Sequence, residues 1–161
     1  MSCFMGIDLG TSGVRTLIVQ PDGKILSASS ERYSISTIAK NFAEQNPEEW
    51  WKATARTIKN TIEKAKIKPS MIKAISFSGQ MHGMVIIDKD LNNIRPAIIW
   101  CDQRSKDQIN EIYEIVGKNK LRNITLNPLS AGSLLTSLMW LKENEEKVSI
   151  KFLKSCFQKI I

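Results

Sequence analysis

The chain has 161 residues, 42% hydrophobic, 24% charged and 7% aromatic, a globular composition with room for one real core rather than a disordered or disulfide-scaffold one. No apolar run approaches the ~20 residues of a membrane span, and Asp8 stands where a signal peptide needs apolar side chains, so a cytoplasmic protein without membrane contact is expected. The formal charge of +7 is concentrated in residues 52–73, with seven Lys/Arg against one acid, and 103–161, with ten against six, segments that read as helices with solvated lysine faces; nucleic acid is therefore not an expected partner.

In chain order, Phe4–Ile7, Val14–Val19 and Ile25 onward are apolar runs separated by Gly10-Thr11-Ser12-Gly13 and by Pro21-Asp22-Gly23, in which proline presets φ and glycine takes the left-handed position. The pattern predicts an antiparallel three-strand meander. Asn46 and Pro47 then read as cap and first residue of a helix of about five turns ending before Pro69. Its Trp51, Ala55, Ile58 and Ile62 recur at helical spacing.

Met71–Phe77 reads as a buried strand, Gly79–Gly83 as a loop, Met84–Ile87 as a strand, Lys89–Asn93 as a turn and Ile94–Trp100 as another strand. Ile109, Ile112, Tyr113 and Val116 lie on one face of a helix stopped by Gly117, and Leu134, Leu135, Leu138 and Leu141 mark a last helix. The fold class is mixed α/β, with no repeat and nothing resembling a linker in residues 1–150. Cys3, Cys101 and Cys156 are widely spaced with no CxxC, which reads as small buried hydrophobes rather than a zinc site or disulfide framework.

Three stretches could carry chemistry. In Gly6-Ile7-Asp8-Leu9-Gly10-Thr11-Ser12-Gly13 a carboxylate ends a strand and a small-residue turn follows. The turn amides and the Thr11 and Ser12 hydroxyls can donate to phosphate oxygens, and Asp8 can hold Mg²⁺ through water. A strand follows instead of a helix, so this is neither a Walker A loop nor a dinucleotide fingerprint; it reads equally as a hairpin turn with a capping aspartate. Gly79-Gln80-Met81-His82-Gly83 offers an amide, a thioether and the sole imidazole to a small polyol, or a merely structural histidine. Trp100-Cys101-Asp102-Gln103-Arg104 offers an indole face, a carboxylate and a guanidinium to a sugar, or a helix cap at Asp102 with Trp100 in the core.

These stretches, with Arg15, Phe42-Ala43-Glu44-Gln45-Asn46-Pro47-Glu48-Glu49-Trp50-Trp51 and Arg95-Pro96-Ala97-Ile98-Ile99 leading into Trp100, resemble the amino-terminal part of the xylulokinases in the FGGY carbohydrate kinase family, over residues 4–153. The resemblance implies an incomplete actin-like, ribonuclease H-like domain that binds a ketopentose and, with a second lobe, transfers the γ-phosphate of MgATP. It implies that Asp8 organises metal and phosphates, that Gly10, Thr11, Ser12, Gly13 and Arg15 line the phosphate side, that Met81 and His82 contact the sugar, and that Gln80 and Asp102 neighbour that pocket.

In the family the catalytic aspartate and the nucleotide lobe lie further downstream, so the 161 residues alone are expected to be inactive or nearly so. Ser137, where lysine is common, and Gly132-Ser133-Leu134, in place of Gly-Phe-Thr, depart from the pattern. Family members continue near here with a stretch like Lys-Val-Leu-Leu-Pro-Lys-Asp-Tyr-Ile. A message for that stretch, read one base later, encodes Lys154-Ser155-Cys156-Phe157-Gln158-Lys159-Ile160-Ile161 and a stop, so 154–161 is expected to be a frameshifted tail. Self-association through exposed strand edges is a further expectation. Two other readings stand beside the kinase: a non-catalytic sugar- or partner-binding half-domain, and a ribonuclease H-like nuclease, for which Glu44 is the available second carboxylate beside Asp8.

Overall fold

The computed structural model describes residues 2–88, 90–146, 148 and, for the backbone, 154–157. Two compact units share the chain: one comprises Met1–Ile35 and Asn46–Gln80, the other Ser36–Gln45 and Met81–Gln158. Each has its own core, where length suggested one. Because the units interleave, the chain crosses between them at ordinary positions, and no composition shift marks the boundaries.

In the first unit, β1 (Cys3–Leu9), β2 (Gly13–Val19) and β3 (Ile25–Arg32) form the expected antiparallel meander, and β5 (Ile72–Gly79) pairs parallel to β1, giving the order β3-β2-β1-β5. Helix α1 (Pro47–Ala65) begins as its sequence dictates: Asn46 Oδ1 accepts from the Glu48 N–H at 3.0 Å, Pro47 occupies the first turn, and Glu48 and Glu49 sit at the positive end of the dipole. Cys3, Met5, Ile7, Val14, Ile18 and Ala53 form the core, so Cys3 is the small buried hydrophobe expected of it.

The buried face of α1 is not the predicted one. Trp51 is 69% exposed and Ala55 is exposed, while Trp50, Ala53, Thr54, Thr57 and Thr61 are buried; Ile58 and Ile62 pack at the margin. The stripe keeps helical spacing but turns by about one residue, because threonine buries its methyl while its hydroxyl bonds locally. Thr54 donates to the Trp50 carbonyl (2.7 Å), Thr61 to the Thr57 carbonyl (2.6 Å), and the Thr16 and Thr57 hydroxyls share a bond of 2.9 Å across the helix–sheet interface.

β5 also differs from expectation. It is exposed from Lys73 to Ser78, with Ile75 51% and Phe77 41% exposed, because it is the sheet's edge strand and α1 lies over β2 and β3. Its apolar composition is that of a strand to be covered on both faces, and no described element of this unit covers it.

The second unit holds β4 (Glu44–Gln45), β6 (Met84–Ile87), β7 (Ala97–Ile98) and β8 (Lys154–Phe157) in the order β4-β7-β6-β8, with α2 (Lys106–Val116), α3 (Lys118–Thr125) and α4 (Leu134–Asn144). Met84, Ile86, Ile98 and Leu141 form its core. The strand expected over Ile94–Trp100 is regular at Ala97–Ile98 alone, because Pro96 cannot donate to a ladder and a turn begins at Trp100. Gly117 ends α2 at φ +87°, as its position predicts, and α3 follows without a linker. Lys89, in the expected turn, and the side chains of the tail, Cys156 among them, lie outside the described residues.

Candidate functional site

Strand β1 delivers Asp8 to the exposed end of the first unit, in register with Arg15 on β2 and Ser78 on β5. Cross-strand partners share a sheet face, and Thr16 and Ile18 face α1, so Asp8, Arg15 and Ser30, the β3 partner of Arg15, form a row on the face opposite the helix. The Gly10 N–H donates to the Gly13 carbonyl at 3.0 Å, closing a tight turn. Gly13 has to be glycine: a Cβ there would lie 2.4 Å from the Glu31 carbonyl oxygen.

A cavity of about 410 Å³ lies beside the turn, lined by Asp8, Gly10, Ser12, Gly13, Val14, Arg15, Ser30, Glu31 and Arg32. Of the predicted phosphate residues it gathers Gly10, Ser12, Gly13 and Arg15 around Asp8; Thr11 lies in the turn but not on the cavity wall. Asp8 and Arg15, although in register, form no ion pair among the described residues, which leaves the carboxylate open to a cation and the guanidinium open to an anion. A single carboxylate holding Mg²⁺ through water and substrate phosphates fits the usual magnesium chemistry. Among the described residues no group of three or more His, Cys, Asp or Glu side chains stands together as a metal site.

Residues that motif reading missed complete this site. The Tyr33 hydroxyl donates to the Gly10 carbonyl at 2.5 Å, and the Tyr33 N–H to the Ser12 carbonyl at 3.4 Å. Burial, with the nearby Asp8 charge adding to it, pushes the Tyr33 phenol up to about 12. Glu31 points to α1, where Arg56 grips it with Nε at 2.8 and 3.0 Å from its two oxygens, and this bonding lowers the Glu31 carboxyl below its usual range. The single available signal for Tyr33 and Arg32 was their place at the end of β3, whose register with Gly13 only folding reveals.

Gln80 is buried, and its N–H extends the β5–β1 ladder by donating to the Leu9 carbonyl at 2.9 Å. In the second unit Met81 is 62% exposed and His82 is exposed at φ +64°, a left-handed conformation that costs a non-glycine residue about 1 kcal/mol. The Gly83 N–H donates to the Met81 carbonyl at 2.8 Å and holds this sharp bend. The loop thus displays its imidazole and thioether to solvent at the cost of local strain.

Asp102 is fully buried and its oxygens are engaged: Oδ2 accepts from the Ala43 N–H (2.6 Å) and Arg104 Nη2 (2.9 Å), Oδ1 from the Arg104 N–H (2.9 Å). Arg104 also reaches Glu44 at 2.7 Å, Glu44 binds Arg95, and Arg95 pairs with Glu145 at 2.5 Å. The Arg104 guanidinium stacks 3.8 Å from the Phe42 ring centroid and 4.9 Å from that of Trp140. Asp102 and Glu44 are therefore committed to an internal charge network, neither a helix cap nor an open ligand; α2 starts after Ser105 instead. Trp100 is 48% exposed rather than in the core, and burial, with the Asp102 charge adding, pushes the neighbouring Cys101 thiol up.

Residues 3–159 match the model of the FGGY family of carbohydrate kinases, N-terminal domain. The chain is 38% identical over 146 residues to the xylulose kinase of Staphylococcus xylosus, covering 91% of this chain and 30% of that protein, and 36% identical over 148 residues to the xylulose kinase of Bacillus subtilis, covering 92% and 30%. It thus spans about 30% of the length of these relatives. Among solved structures it superposes on a xyloylose kinase from Brucella ovis with a TM-score of 0.89 at 30% identity, covering 98% of this chain and 32% of that one. A ligand-bound xylulose kinase from Lactobacillus acidophilus, 23% identical, shows the same fold with a TM-score of 0.89 over 96% of this chain and 31% of that one.

Proposed function

Since the chain belongs to the FGGY family of carbohydrate kinases through its N-terminal domain, we propose that it is the front part of an ATP-dependent xylulokinase, which phosphorylates D-xylulose to D-xylulose 5-phosphate. The observation that carries this reading is the cavity in which an unpaired carboxylate, Asp8, and an unpaired guanidinium, Arg15, flank a glycine-closed turn. Phosphoryl transfer consists mostly of positioning and charge neutralisation, and these are the groups it uses. When bound, Mg²⁺ neutralises phosphate charge.

On this reading, Asp8 orients the ion's water shell. Ser12 and the turn amides after Gly10, whose own N–H closes the turn on the Gly13 carbonyl, donate to phosphate oxygens, with Thr11 beside them, and Arg15 supplies a bidentate cation. Met81 and His82 contact the ketopentose, and the family resemblance makes Gln80 and Asp102 neighbours of its pocket, Asp102 by fixing its own loop. The working location is the cytoplasm, in keeping with the lack of any helix, among the described residues, long and apolar enough to cross a membrane.

By themselves the 161 residues are expected to turn over no ATP with D-xylulose, the base and the nucleotide lobe being supplied elsewhere in the family. A non-catalytic sugar-binding half-domain is the second reading, favoured by the exposed, strained His82. The nuclease reading fares worse: Glu44 is bound by Arg95 and Arg104, and no carboxylate cluster stands with Asp8 among the described residues. Titration of the chain with D-xylulose, followed by amide NMR shifts, tests the sugar assignment. Shifts at residues 80–83 that His82→Ala weakens support it, and saturating D-xylulose without shifts there removes it. Sugar-dependent ATP turnover by the chain alone would overturn the expectation of inactivity.

A further inference from the structure

We infer that Arg32, at the end of β3, is a second phosphate-binding cation of the glycine turn, forming with Arg15 a clamp for the polyphosphate of a nucleotide triphosphate. The inference rests on the phosphate reading of the turn and adds a residue that lies outside the strand–turn–strand motif.

Three features place Arg32 there. It is the register partner of Gly13, which has no side chain to occupy the space between them, and Ser30 is the partner of Arg15, so both guanidinium groups project from the same sheet face around the same cavity. The end of β3 is fastened to the turn on either side of Arg32. The Glu31 carbonyl lies so close to Gly13 that no Cβ would fit, and Tyr33 bonds to the carbonyls of Ser12 and Gly10. Arg32 therefore cannot drift from the turn without breaking these contacts.

The charge balance gives the third argument. Arg32 and Arg15 form no ion pair among the described residues, and the acid next to Arg32 in the chain, Glu31, faces α1 and is neutralised by Arg56. With the Glu31 carboxylate held by Arg56, the cavity lining offers one unpaired carboxylate, Asp8, and two unpaired guanidinium groups, a surplus of positive charge. Asp8 would take the cation of a magnesium complex, and the two arginines its anionic oxygens. Guanidinium groups bind phosphate through paired parallel N–H donors, and two of them converging from adjacent strands can take two successive phosphoryl groups. Inorganic pyrophosphate is therefore the minimal probe.

The test titrates magnesium pyrophosphate into the full 161-residue chain and reads the dissociation constant by calorimetry, with amide NMR shifts at Gly13 and Arg32 as a second readout. Arg32→Ala is expected to weaken binding about five- to tenfold, the scale for a solvent-exposed charge-assisted contact, and Arg32→Lys to retain part of the affinity. Lys24→Ala, which removes the same charge from the β2–β3 turn at the other end of the hairpin, should change binding less than twofold. Equal effects of Arg32→Ala and Lys24→Ala would overturn the clamp while leaving the phosphate reading standing if Arg15→Ala still weakens binding. Wild-type chain that binds no pyrophosphate would overturn both. Circular dichroism melts confirm that the surface variants fold.

Discussion

The Tyr33 hydroxyl donates a hydrogen bond of 2.5 Å to the Gly10 carbonyl oxygen. The contact ties the residue that follows β3 to the loop after β1, residues separated by 23 positions. Tyr33→Phe keeps the ring and removes the bond. It is expected to cost about 1 kcal/mol, read as a lower midpoint in urea unfolding.

The same phenol predicts an alkaline transition. Its folded pKa, about 12, lies above the value of about 10 for an unfolded phenol. Between these pH values the folded chain holds a proton that the unfolded chain has released, so this stabilisation is complete below pH about 10 and is lost as pH rises toward 12. The sequence contains two tyrosines, and the difference in tyrosinate absorbance between wild type and Tyr33→Phe isolates the one in question. A difference midpoint near 10 would refute the assignment.

Two glycines of one motif should respond differently to alanine. At Gly13 the new Cβ would meet backbone, 2.4 Å from the Glu31 carbonyl oxygen and 3.1 Å from the Arg32 Cα, so β2 and β3 must part; a loss of about 2 kcal/mol or more is expected. At Gly6 the nearest atoms, of the Leu17 side chain, lie 3.6 Å away, an ordinary contact, and the change should stay within about 0.5 kcal/mol. Urea midpoints of Gly13→Ala and Gly6→Ala decide between this and a uniform requirement for glycine.

Glu44 holds two buried guanidinium groups, Arg95 and Arg104, whose side chains are 9% and 1% exposed. Glu44→Ala would leave both without that carboxylate, and breaking a buried pair from one side typically costs about 3–5 kcal/mol. Loss of the far-ultraviolet signal of α2 to α4 at lower urea than in wild type is the expected result; an unchanged unfolding profile would show that Arg95 and Arg104 are served well enough by Glu145 and Asp102.

The meander, α1 and the glycine turn were legible in the sequence because their signals are local: alternating apolar runs, a Pro-Asp-Gly turn, and an Asn-Pro start with acids behind it. The family, too, was legible, because its motifs are contiguous runs of residues whose order survives without any knowledge of contacts. Chemistry within a run, such as Asp8 followed by its small-residue turn, could be named from the letters.

What the letters did not contain was partnership between distant segments. The choice of Trp50, Thr54, Thr57 and Thr61 over Trp51 and Ala55 as the buried face of α1 depended on the Thr16 hydroxyl across the interface. The exposure of β5 depended on where α1 comes to lie on the sheet. The commitment of Asp102 to the Ala43 amide depended on a partner 59 positions away, and the arrival of Tyr33 and Arg32 beside the glycine turn depended on register between strands. Composition and spacing determined which elements form and which family they build, because helix caps, turns and apolar periodicity act over a few residues. Tertiary structure decided which polar groups are spent on one another and which remain open to a ligand, because that is settled by burial and by hydrogen bonds between residues far apart in the chain.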